Sequence, residues 1–179
     1  MPPIFSQSSP LIRREQPGDR PRLRNLNEAA FGRADEADLI DGLWDEGAVL
    51  LSLIAELDGV IAGHILFSRM TVETAQGAVD GVPVDAVSLA PMAVLPEHQG
   101  RGIGSELVRR GLDELRGMGE RIVIVLGHEH YYPRFGFSPE MARNLSSPFP
   151  PEAYMALELC AGALDGVRGA VRYAAPFQL

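Results

Sequence analysis

The chain has 179 residues and a formal net charge of −8, and all sixteen of its basic residues are arginine, with no lysine anywhere. This length suits one domain of ~100–200 residues with a sizeable core, and 46% hydrophobic with 22% charged residues excludes a wholly disordered or collagen-like chain. The acidic balance argues against broad nucleic-acid binding, which draws on a basic face.

The single cysteine, Cys160, excludes an internal disulfide framework and any multi-cysteine zinc site. Lying in an apolar run, it reads as a small core residue of a strand. Residues 1–10, MPPIFSQSSP, read as a flexible tail with no basic n-region and no long apolar stretch, hence not a signal peptide. No apolar run approaches the ~20 residues of a membrane helix. The expectation is a soluble, cytoplasmic protein with one domain over residues 11–179.

In chain order, Leu11 to Arg13 reads as a first short strand. Asp19 reads as an N-cap for a helix carrying Leu23, Leu26, Ala30 and Phe31 at helical spacing. Asp35 opens a second helix with Leu39, Ile40 and Leu43, ended near Gly47. The period then changes. Val49 to Glu56 and Val60 to Thr71 are apolar, β-branched runs around Asp58-Gly59, a strong hairpin signal. Val72 to Ala78 continues or frames that hairpin, and Asp80-Gly81 marks a turn before the run from Val84 to Val94. After a Gly-rich segment, Ile103, Leu107, Val108, Leu112, Leu115 and Met118 fall on one helical face, opposite Glu106, Arg109, Arg110, Asp113, Glu114 and Arg116. Gly117 and Gly119 stop this helix. Arg121 to Leu126 is continuously apolar, as for a strand buried on both faces. Tyr154 to Cys160 and Gly169 to Ala174 are the last strands, around a turn at Asp165-Gly166. The order reads β-α-α-β-β-β-α-β-α-β-β.

Strand, then Gln99-Gly100-Arg101-Gly102-Ile103-Gly104, then helix is the arrangement of an anion cradle. The first N–H groups of a helix lack intrahelical partners, and the helix dipole adds positive charge at that end. Glycines let a phosphate approach without a Cβ in the way. The same glycines also suit a plain strand-to-helix turn. A nucleotide phosphate loop would need Gly-x-x-x-x-Gly-Lys, and there is no lysine. A dinucleotide fingerprint from Gly102 finds Gly104 but then Leu107 where its third glycine belongs.

Gln99-x-x-Gly102-x-Gly104 after an apolar strand resembles the pyrophosphate loop of the GNAT superfamily of N-acetyltransferases. Downstream, Tyr131-Tyr132-Pro133-Arg134-Phe135-Gly136-Phe137 resembles the family's Tyr-x-x-x-Gly-Phe segment. The stretches LAPMAVLPEHQGRGIGSEL, IVIVLGHEHYYPRFGF and MALELCAGALDGVRGAVRY are similar to the YhbS-like subgroup. The resemblance covers about residues 11 to 177. Pro133 stands where a helix former is more usual and implies a short helix or single turn there.

The resemblance implies an α/β (α+β) GNAT fold: one mixed, mostly antiparallel sheet with helices on both faces and a splayed central strand pair. It implies acetyl-CoA as co-substrate, held by Met92, Ala93, Val94, Gln99, Gly100, Arg101, Gly102, Ile103, Gly104 and Ser105. It implies transfer of acetyl to a primary amine by direct attack, with Tyr132 as general acid for the thiolate. Backbone N–H groups around Met92 to Val94 can polarise the thioester carbonyl, although Pro91 has none to give. A non-catalytic acyl-CoA-binding regulatory module with the same fold is the alternative. His128 and, after it, Glu129, at the rim after the buried strand, are the candidate bases, and both also read as solvated loop residues. Were the strand to continue, His128 and His130 would point to opposite sides. His98 reads as a surface group or weak phosphate contact, and His64 as a satisfied core histidine. No metal is expected, since His128-x-His130 lacks a third ligand nearby. The acidic run Asp35, Glu36, Asp38, Asp41, Asp45 and Glu46 would favour a cationic amine, but reads first as a solvated helix face. The partners expected are acetyl-CoA and an amine acceptor, with no nucleic acid and no membrane, and with a homodimer allowed.

Overall fold

A computed structural model describes residues 9–74 and 82–179. Twelve elements follow in chain order: β1 (Leu11–Arg14), α1 (Arg20–Phe31), α2 (Asp35–Asp45), β2 (Val49–Leu57), β3 (Val60–Thr74), β4 (Val84–Val94), α3 (Ile103–Gly117), β5 (Ile122–Leu126), α4 (Pro139–Ala142), β6 (Leu145–Ser146), β7 (Tyr154–Glu158) and β8 (Gly169–Arg172). The strands form one eight-stranded sheet in the order β1-β2-β3-β4-β5-β7, with β8 pairing the far end of β3 and β6 pairing β8. Pairing is antiparallel except for β4 with β5 and β6 with β8. The parallel β4–β5 pair is joined through α3, as a crossover between parallel neighbours requires.

Asp58 and Gly59 both have positive φ, 50° and 80°, and Leu57 pairs Val60 across them. This is the tight hairpin that Asp-Gly specifies. Alternation along the strands then sorts the core. Leu53, Ile65, Phe67, Leu89, Val123 and Val125 pack with Leu107, Val108, Leu112 and Leu115 of α3. The opposite face packs Ile54, Ile61 and Ala93 against Leu23 and Leu26 of α1, and Leu66 against Ile40 and Leu43 of α2. Helices thus cover both faces, as the resemblance implies. Glycines leave room where α3 meets the sheet. A Cβ on Gly111 would stand 2.4 Å from the Phe67 ring, and one on Gly63 2.9 Å from Ile103.

Several expectations are corrected. Cys160 is exposed and follows the end of β7, because the strand stops at Glu158, whose carboxylate accepts from the N–H groups of Gly162 and Leu164. The strand order gains β6, a two-residue strand too short to carry a periodic signal. Met118 lies past the end of α3 and is 41% exposed. Asp19 sits at the N-cap of α1 without capping its backbone N–H groups. Its carboxylate instead accepts from Arg13, Arg22 and the Gln16 N–H, and the Arg13 guanidinium holds it well below the usual carboxylate range. The last part of the Val72–Ala78 reading and the Asp80-Gly81 turn lie outside the described residues, as does most of the 1–10 tail.

His64 is fully buried in a polar chain beneath α1. Asn27 Nδ2 donates to the Leu23 carbonyl at 2.9 Å and faces His64 Nδ1 at 3.4 Å, so that nitrogen is the acceptor. Nε2 then carries the proton and donates to Ser52 Oγ at 2.9 Å, and Ser52 donates to the Glu15 carboxylate. The histidine is a satisfied core residue, as its apolar setting suggests, and burial lowers its pKa to about 3.

Two measurements follow. In an open helix Gly→Ala gains up to ~1 kcal/mol, but Gly111→Ala drives a methyl into Phe67. We expect a net loss of about 1–3 kcal/mol in urea denaturation; a gain would show that α3 can shift freely. Between pH 6.5 and 3 the unfolded chain binds a proton at His64 that the folded chain refuses, so this group's contribution falls as pH drops through 6.5, by about 1.4 kcal/mol per unit. The buried carboxyl of Glu15, raised by desolvation, opposes it from its own ordinary value upward. Comparing His64→Gln with the parent isolates the histidine: the variant's urea midpoint should fall less steeply from pH 6.5 to 5, and equal slopes would place the titration elsewhere.

Candidate functional site

The site begins where two parallel strands part. β4 and β5 pair from Val87–Val123 to Leu89–Val125 and no further. Against β3, β4 spends three steps from Leu89 to Met92 while β3 spends two from Phe67 to Ile65. The extra residue, at Ala90-Pro91, is a bulge that bends β4 away from β5. Beyond it β4 runs on to Val94 while β5 ends at Leu126, and a cleft of about 840 Å³ opens between them.

The Gly-rich loop roofs one end of the cleft. Gly100 and Gly102 have φ of 74° and 85°, which only glycine adopts readily. The first helical bond of α3 runs from the Glu106 N–H to the Gly102 carbonyl at 3.0 Å, so the N–H groups of Ile103, Gly104 and Ser105 precede the helical ladder. Gln99 Nε2 donates to the Val94 carbonyl at 3.1 Å and pins the loop to the strand end. A Cβ on Gly104 would lie 2.9 Å from the Tyr131 hydroxyl, in the mouth of this cradle. The geometry suits a diphosphate held by amides.

The 3₁₀ turn Tyr132–Phe135 fills the other wall, a single turn as Pro133 implies. Tyr132 is buried among Tyr131, Phe137 and Gly127, where any Cβ would stand 2.2 Å from its ring. Burial pushes its hydroxyl well above the ordinary tyrosine value, so it stays protonated.

Of the residues expected in the site, Met92, Val94, Gln99, Gly100, Gly102, Ile103, Gly104, Ser105, His128 and Tyr132 line this one cleft. Neither Arg101 nor Ala93 is among the lining residues, and Ala93 is turned into the α1 core. Because β5 stops at Leu126, strand alternation does not govern the histidines. His128 lines the cleft, whereas His130 is 92% exposed beside Glu129. No cluster of three metal-ligating side chains occurs among the described residues.

The cleft also holds residues the sequence reading missed. Tyr131 lies 3.4 Å from Ser105 Oγ and under the Arg134 guanidinium, 4.3 Å from its ring centroid. Arg134 lines the cleft as well and sits inside the Tyr-x-x-x-Gly-Phe segment, so its position was readable although its role was not. Phe31, Glu36 and Leu39 close the far end. Only the tertiary fold brings the α1–α2 corner there. Glu36, read first as part of a solvated face, is in fact 14% exposed.

The profile of the Acetyltransferase (GNAT) family matches residues 20–137. The chain is 42% identical over 142 residues to the uncharacterized N-acetyltransferase YjhQ of Escherichia coli K12, covering 77% of this chain and 76% of that protein. It is 34% identical over 166 residues to the uncharacterized N-acetyltransferase YhbS of the same strain, covering 91% and 95%. Among solved structures, Escherichia coli YhbS in complex with CoA superposes with a TM-score of 0.83 at 33% identity, covering 96% of this chain and 93% of that one. A GNAT family acetyltransferase from Brucella melitensis in complex with acetyl-CoA gives 0.76 at 35% identity, covering 94% and 97%.

Proposed function

The chain belongs to the GNAT acetyltransferase family, and on that premise we propose that it transfers acetyl from acetyl-CoA directly to a primary amine. The observation that carries this reading is the single cleft lined at one end by the free amides of α3 and farther along by a protonated Tyr132. Acetyl-CoA brings an activated thioester and a diphosphate. The amides of Ile103 to Ser105 and the helix dipole bind the diphosphate, and Arg134 adds a cation at the cleft wall. The unpaired edge of β4 beyond Leu89 offers backbone groups to the extended arm, as a further strand would.

The amine nitrogen attacks the thioester carbonyl, forming the C–N bond while the C–S bond breaks. Tyr132 gives its proton to the departing sulfur. The proton shed by the amine passes to water or to His128, and Tyr132 recovers one from solvent. No acyl-enzyme forms: Cys160 follows β7 and lies outside the cleft. The alternative, a module that only binds acyl-CoA, would turn over no amine.

Calorimetry tests the cradle: Gly104→Val should weaken CoA binding at least about tenfold, or ~1.4 kcal/mol, and unchanged affinity would remove the loop from the cofactor site. Steady-state kinetics test the acid. Tyr132→Phe keeps the packed ring, so kcat should fall by roughly 10²-fold while CoA affinity holds; an unchanged kcat would take Tyr132 out of the chemistry.

A further inference from the structure

Resting on the transferase reading above, we infer that Glu36 is the positioning residue that selects the acceptor, a cationic primary amine with an alkyl or aryl body and no carboxylate beside the amine. Among the described residues, Glu36 is the one carboxylate lining the cleft. Its helix neighbours Asp35 and Asp38 have side chains 74% and 65% exposed, against 14% for Glu36, so it stands apart from the solvated face. Arg33 grips it from outside, Nε to Oε2 at 3.1 Å and Nη2 to Oε1 at 2.5 Å, without itself lining the cleft. This fork fixes the carboxylate and leaves it acceptor capacity for a ligand.

The surroundings define what that ligand is. Phe31 and Leu126, 40% and 43% exposed, line the cleft with Leu39 and present apolar surface to any occupant. A second groove of about 600 Å³ shares Glu36 and Leu39 and is also lined by Asp35 and Asp38. An ammonium satisfies Glu36 and its carbon body covers the apolar wall, whereas a carboxylate next to the amine meets a like charge. Arg33 also keeps the Glu36 carboxyl below its ordinary value, which makes it a poor base. Its work is capture and orientation, and the amine releases its proton only farther in.

The test uses the full chain with acetyl-CoA and matched amines differing by one carboxylate: phenethylamine against phenylalanine, and pentylamine against norleucine. The parent should favour the carboxylate-free member at least about tenfold in kcat/KM. Glu36→Gln, losing a hydrogen bond to a charge worth ~1.5–3 kcal/mol, should raise the amine KM about tenfold or more and narrow that preference, with kcat within about threefold. Glu36→Asp should retain the preference. Calorimetric CoA affinity equal to the parent's shows that a variant is folded, and should Glu36→Gln lose it, Glu36→Ser takes its place. An unchanged KM and preference, or a fall in kcat alone, overturns the role of Glu36 while leaving the transferase intact. A parent that binds CoA yet acetylates none of the four amines overturns this acceptor class, and one that acetylates no amine at all overturns the transferase reading with it.

Discussion

The end of hydrogen bonding between β4 and β5 is the constraint on which the rest depends. A buried backbone N–H or C=O without a partner costs about 1–3 kcal/mol, so adjacent parallel strands do not part without cause. Here the bulge at Ala90-Pro91 lengthens β4 by one residue against β3, and Pro91 offers no N–H to any neighbour. β4 stays anchored to β3 on its other edge, and β5 stays anchored to β7, so the gap cannot close by sliding either strand. α3 must then start above the gap. Gly63 and Gly111 let it sit tightly on the sheet, and Phe67 is the core side chain that fixes its height. The cleft thus follows from packing elsewhere in the fold.

The other face of the sheet holds β4 from behind. His64 pairs in register with Ala93, within the splayed segment. Its side chain ties together Asn27 of α1 and Ser52 of β2, and through Ser52 reaches Glu15 after β1. Four chain segments therefore meet at one neutral imidazole. A protonated histidine would lose the acceptor that faces Asn27 and place a charge at a fully buried position, and that desolvation keeps the imidazole neutral. The network costs desolvation that a purely apolar core would avoid, and in exchange it fixes which way each polar group points.

How much of this was legible in the sequence varies with how local the cause is. Asp58-Gly59 specified its hairpin because two adjacent residues tolerate positive φ, and the face of α3 from Ile103 to Leu115 was legible because burial repeats every turn. The Gly-rich loop was legible for the same local reason. Arg101 and Ala93 sit among loop and strand residues that do line the cleft, and nothing in their spacing reveals which way each turns. Cys160 misled because the apolar run continues past Glu158, while the chain leaves the sheet there to satisfy a carboxylate with backbone N–H groups. Glu36 was illegible for a deeper reason. Its helix reads as uniformly acidic, and only the packing of the α1–α2 corner beside Leu126 decides which carboxylate is enclosed. Phe31 has the helical spacing of a core residue, yet the same corner leaves it partly exposed at the cleft wall.

The electrostatics then bear on both substrates of the proposed reaction. A net charge of −8 favours the approach of cationic amines and disfavours that of a polyanion. The polyanion must therefore be recognised at short range, where oriented amides, a helix N-terminus and Arg134 outweigh the distant acidic residues. The all-arginine composition fits this division. Arginine supplies the surface ion pairs, such as Arg24 with Asp38 and Asp41 and Arg116 with Asp113, through a guanidinium that stays protonated and is no acyl acceptor at neutral pH. With no lysine in the sequence, no side-chain amine of the protein competes with the acceptor for the cleft, and the carboxylate of Glu36 is left to read the charge of what comes in from outside.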